Sequence, residues 1–109
     1  MSYSMHETPK RKSKDSFAKV YDNMIQKAAE MYCWAYHSQD RGESRAVITG
    51  IFDEIEGMSR AAAIMGYDRL GFIRRATLRA AKRYHEVYGK RERLDNMIKY
   101  YGEDEIEAA

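Results

Sequence analysis

Residues 59–76 read SRAAAIMGYDRLGFIRRA, and this stretch decides how the chain folds. Ser59 is placed to cap a short helix, because its hydroxyl can accept a backbone N–H two or three residues on. Ala61, Ala62 and Ala63 remove side-chain bulk, so a second helix can cross closely over the first. Gly66 stands where a helix ends and the chain enters positive φ, which glycine adopts without steric cost. Asp68 can cap the next helix, with Phe72 and Ala76 turned back toward the first. The pattern predicts two helices joined by a tight turn, a helix-turn-helix whose second helix faces outward.

The flanking sequence is helical as well. From Asp15 to about His37, Phe17, Val20, Tyr21, Met24, Ala28, Met31, Tyr32 and Ala35 recur at intervals of three and four. The turn SQDRGES follows, and Ser44 caps a helix whose apolar side is Ala46, Val47, Ile48, Ile51, Phe52 and Ile55. Gly57 is expected to end that helix near Glu56. A short motif helix then runs from about Arg60 to Met65, and a long one from Arg69 to Tyr88, stopped by Gly89. A last amphipathic helix carries Leu94, Met97, Ile98 and Tyr101 and ends near Gly102. Residues 1–14 form a basic arm without apolar period, and residues 103–109 an acidic tail expected to fray. Strand-like alternation is absent. The expected architecture is therefore all-α, a small domain of four to five helices over residues 15–102, with the helix-turn-helix at 59–88.

With 109 residues, 44% of them hydrophobic, the chain suffices for one domain with a modest core. Cys33 is the only cysteine, which excludes an internal disulfide and a CxxC zinc site. No apolar run approaches a membrane span and no leader pattern is legible, so a cytoplasmic location is expected. His6, His37 and His85 fall on separate elements without metal-ligand spacing. No nucleophile–base pattern, P-loop or GxGxxG is present, so neither a catalytic residue nor a cofactor or metal is expected. Asp53, Glu54 and Glu56 read as a solvated acidic cluster.

The net charge of +2 conceals strong segregation. Residues 1–14 carry +3, residues 15–68 carry −4, residues 69–93 carry +7 and residues 94–109 carry −4. The positive charge sits on the second helix of the motif and the turn after it, as phosphate neutralisation requires. At about 100° per residue, Phe72, Ile73, Ala76, Ala80, Tyr84 and Val87 share one side of this helix, the expected core side. Gly71, Arg74, Arg75, Leu78, Arg79, Lys82 and His85 lie opposite, on an outer basic face. A helix of this kind fits the major groove of duplex DNA, where arginine pairs with guanine. Its first residues then reach bases and later ones phosphates. Arg69 and Arg74 are accordingly assigned to base edges or the nearest phosphates, and Arg75, Arg79 and Lys82 to the backbone. Ser59 and Arg60 are assigned to a phosphate at a helix N-terminus.

The same residues resemble the helix-turn-helix of the Fis family of bacterial DNA-binding proteins. Ser59, Arg60, Ala61 and Ala62, then Gly66, Tyr67 and Arg69, with Arg74 and Arg75, follow the family pattern. The resemblance implies duplex DNA as partner and an upstream helix packing on the motif, which residues 45–56 would supply. Asp68 stands where the family has Asn, Leu70 and Gly71 replace Gly and Thr, and Ala76 replaces a core leucine. A region of sigma factors and of some phage antiterminators is similar too, with a long second helix. Both point to transcriptional regulation or DNA architecture.

The first helix is the expected dimerisation element, with Met24, Met31 and Trp34 available, since small proteins of this kind commonly pair about a two-fold axis. The alternative function is a helical interaction module, such as a phage factor that modulates a host protein.

Overall fold

The computed structural model describes residues 14–108, and the side chains of residues 17–108. Five helices account for nearly all of them: α1 (Lys14–Asp40), α2 (Arg45–Ile64), α3 (Arg69–Tyr88), α4 (Glu92–Tyr101) and α5 (Glu103–Ala108). No strand occurs among the described residues, and the fold is all-α. The basic arm, apart from Lys14, and His6 lie outside the described residues.

Helix α1 contains neither glycine nor proline, and it runs three residues past the expected end before Gly42 turns the chain at φ 74°. It packs on both α2 and α3, and α1 against α3 is the most extensive of these contacts. Tyr21, Ile25, Ala28, Tyr32 and Ala35 of α1 meet Ile51, Ile55 and Ala62 of α2 and Phe72, Ala76, Ala80 and Tyr84 of α3. These residues of α1, α2 and α3 form one core. Ser44 caps α2 by accepting from the Val47 N–H.

The turn between α2 and α3 forms as the sequence indicates. The Gly66 N–H donates to the Ala63 carbonyl and the Tyr67 N–H to the Ala62 carbonyl, at 2.9 and 3.0 Å. This paired closure of a helix end needs a left-handed residue, and Gly66 supplies it at φ 97°. Asp68 then accepts the Gly71 N–H at 2.9 Å and caps α3.

Several expectations are corrected. Gly57 does not end a helix: α2 is continuous from Arg45 to Ile64, so the upstream helix and the short motif helix are one. The apolar period from Ile51 through Ile55 to Ala62 runs through Gly57. Burying Ile55 and Ala62 outweighs the ~1 kcal/mol that a helical glycine costs. Ser59, in mid-helix, caps nothing.

Helix α3 is buried on two sides rather than one. Leu78, expected on the outer face, is 1% exposed. It packs in a second apolar cluster with Ala81, Leu94 and Ile106. The acidic tail does not fray but forms α5, which returns to α3 and buries Ile106. Val87, expected in the core, is exposed.

Candidate nucleic-acid interface

Helix α3 carries Arg69, Arg74, Arg75, Arg79, Lys82 and Arg83 against one acid, Glu86. With α1 and α2 on one flank and α4 and α5 on another, Arg69 falls in one group and Arg74, Arg75 and Arg79 in another, while Lys82 and Arg83 lie outside both.

The first group is at the α2–α3 corner and centres on Glu56. The Arg69 guanidinium pairs with the Glu56 carboxylate, and its Nε donates to the Ser59 hydroxyl at 3.1 Å. That hydroxyl donates in turn to the Glu56 backbone carbonyl at 2.7 Å, and Ser59 is fully buried. Arg60 is exposed and lies 3.7 Å from the same carboxylate. Ser59 and Arg69 therefore tie α3 to α2. Ser59 and Arg60 lie in mid-helix, not at the helix N-terminus where they were expected to bind a phosphate.

The second group lines a cleft of about 460 Å³ between the start of α1 and α5. Arg74, Arg75 and Arg79 enter it over Leu78, opposite Asp22 and Glu105. Arg79 donates to Gln26 at 3.3 Å and to Asp22 at 3.4 Å. Arg74 Nε lies 3.7 Å from Glu105 Oε1. Arg75 is exposed, with its guanidinium 6.0 Å from the centre of the Tyr21 ring, which itself stacks on Tyr67 at 3.7 Å. Lys82 is half-buried, and no carboxylate of the described residues pairs with Arg75 or Lys82. Gly71 stands apart from this group. A methyl group there would come within 3.0 Å of the Asp68 carboxylate, so its small size serves the helix cap.

A further polar cluster joins α1 to α3 and α4. Arg93 donates to Gln39 and Asp40 and lies 4.4 Å over the Tyr36 ring. The Tyr84 hydroxyl donates to Asp40, and together these bonds clamp α3 and the start of α4 to the end of α1. Tyr84's hydrogen bond holds the Asp40 carboxyl below its ordinary value, with Arg93 helping. Burial, then Asp40, pushes Tyr84 up to about 12. The Cys33 thiol donates to the Ala80 carbonyl at 3.3 Å, and burial pushes it up to about 11, away from the reactive thiolate. Among the described residues no three His, Cys, Asp or Glu side chains group to hold a metal, and no helix is long and apolar enough to cross a membrane.

Of the eight residues expected at a DNA surface, Arg74, Arg75 and Arg79 come together and Ser59, Arg60 and Arg69 form a separate corner. Sequence reasoning missed the counter-charges Glu56, Glu105 and Asp22. Glu56 was accessible through its i, i+4 spacing to Arg60; the other two depend on how α1 and α5 pack on α3. No protein-family model, no curated protein and no solved structure matches the chain.

Proposed function

We propose that the chain is a non-enzymatic DNA-binding protein that holds duplex DNA through phosphate contacts from α3. The observation that carries this reading is the concentration of six cations on α3, with Arg75, Lys82 and Arg83 outside the ion pairs of the described residues. Arg75, Arg79 and Lys82 lie one turn apart along the helix, a spacing suited to following a phosphate backbone. Arg69 acts here as a positioning residue, because Glu56 and Ser59 hold its guanidinium. Arg74 contributes when Glu105 yields to a phosphate. The outcome is occupancy of DNA, in transcriptional control or DNA architecture. A salt-series titration on pooled random duplex DNA tests it. Binding should weaken with a log–log slope of about −0.9 for each phosphate contacted, and Arg75→Ala/Lys82→Ala should flatten that slope. A folded protein without affinity at low salt ends the reading.

A second reading, a helical protein-interaction module, is favoured by one observation. Leu70 and Tyr100 are 76% and 81% exposed on the rim of a recess completed by Ile73, Thr77 and Tyr101. Large exposed side chains around a recess suit a protein partner. Leu70→Ala/Tyr100→Ala should abolish capture of such a partner and leave DNA affinity intact.

A further inference from the structure

Along one edge of its core face helix α1 carries a line that is apolar but for Lys27, of which Met31 is buried in the core and Met24 packs against it. Phe17, Val20, Met24, Lys27, Met31 and Trp34 follow one another at alternating intervals of three and four residues, the spacing of a helix–helix seam. Phe17, Val20 and Trp34 are 52%, 46% and 55% exposed. The two halves of this line differ in shape. Its second half, from Met24 to Trp34, borders a groove of about 600 Å³ whose other wall is Gly57, Met58 and Ala61 of α2. Its first half, Phe17 and Val20, projects beyond that groove.

We infer that the groove is the seat of a second copy of this chain, with the two α1 helices antiparallel. Projection and groove lie at matched distances from the middle of the line. In a reversed pair Phe17 of one copy meets the partner's Trp34, Val20 meets the partner's Met31, and Met24 meets the partner's Lys27. The apolar projections of each copy thereby enter the methionine-lined groove of the other, and methionine adapts readily to such insertion. Charge selects the direction. A parallel pair sets Lys27 against Lys27 in the middle of the seam. The reversed pair places Lys27 beside the partner's Met24 and so keeps the two ammonium groups out of register. From Phe17 to Trp34 the seam spans about 26 Å at 1.5 Å per residue. With the α2 wall it approaches the lower end of stable interfaces, roughly 1,000 Å² in total, so a micromolar dissociation constant is expected. The interface uses no residue of the α3 cleft and stands whether or not α3 meets DNA.

Trp34 is the single tryptophan of the chain, so the interface carries its own reporter. Sedimentation velocity and Trp34 emission are followed together as the intact chain is diluted from about 100 to about 0.1 μM, a range that brackets the expected constant. Dissociation to monomer with a red shift of the emission is the expected result, and Val20→Glu should be monomeric throughout with an unchanged helical spectrum. A monomer at the highest concentration overturns the inference. So does a dimer that persists unchanged in both Val20→Glu and Trp34→Ala. Direction is read in a Cys33→Ser background: Phe17→Cys should form no disulfide dimer on oxidation, and efficient cross-linking would reveal a parallel pair and overturn the proposed one.

Discussion

Arg74 of α3 and Glu105 of α5 face each other at 3.7 Å, each side chain nearly half exposed. A pair this open contributes little stability, about 0–1 kcal/mol, so α5 is held mainly by Ile106 in the cluster with Leu78. Helix α5 brings Glu103, Asp104, Glu105 and Glu107 to the basic helix, where they would oppose the phosphate backbone of the proposed DNA partner. Ending the chain at Gly102 should therefore strengthen DNA binding several-fold and steepen its salt slope by about 0.9, one added phosphate contact. Stability should fall by roughly 2–4 kcal/mol as Leu78 becomes exposed. Paired titrations and denaturant melts check both. A truncated chain that stays folded and gains no affinity removes α5 from any shielding role.

The Asp40–Tyr84–Arg93 clamp predicts a pH dependence with definite sign. Asp40 titrates below its ordinary value in the folded protein, so its contribution is complete above the unfolded value of about 3.9. It is lost as the pH falls from there through the depressed folded value. Tyr84 works in the opposite direction, since its folded value is raised to about 12. Its contribution is complete below about 10 and is lost as the pH rises toward 12. Tyr84→Phe should cost about 1 kcal/mol at neutral pH and flatten the decline at both ends. Melts of the two proteins from pH 2.5 to 11.5 would reveal a lack of any difference in shape, which would count against the clamp.

Ser59 was assigned to a phosphate but sits buried between Glu56 and Arg69. Ser59→Ala should lower stability by about 1 kcal/mol through the lost bond to the guanidinium and leave the salt slope of DNA binding unchanged. A flatter slope at unchanged stability would return Ser59 to the contact surface.

The turn chemistry was legible because it is local. Ser44, Gly66, Asp68 and Gly89 each act through bonds to residues within a few positions, and each stands where its type indicates. The core side of α3 was legible for the same reason, as Phe72, Ala76, Ala80 and Tyr84 form an unambiguous stripe. Leu78 was not. It lies among arginines on the helical wheel, and its burial requires α4 and α5 to return to α3, which no local pattern announces. The counter-charges of the candidate site share that origin: Asp22 and Glu105 are 57 and 31 positions from Arg79 and Arg74. Gly57 misleads in the other direction, because a helix-breaking residue type stands inside an apolar period that continues through it.

Gly57 and Gly66 turn that last lesson into opposite outcomes for one substitution. Gly57 is helical, and a methyl group there would meet open space. Gly57→Ala should stabilise the fold by as much as 1 kcal/mol, through helix propensity and a less flexible unfolded chain. Gly66 also has open space around it, but its φ of 97° is a conformation that side-chain-bearing residues rarely adopt. Gly66→Ala should destabilise by about 1–2 kcal/mol, because either the backbone is strained or the closure of α2 by Gly66 and Tyr67 is lost. Denaturant midpoints at constant m-value decide the matter. Destabilisation by Gly57→Ala at a concentration where the chain is monomeric would mean that α2 breaks at Gly57 in solution. Its two parts would then be the separate helices that residues 45–56 and 60–65 suggest on their own.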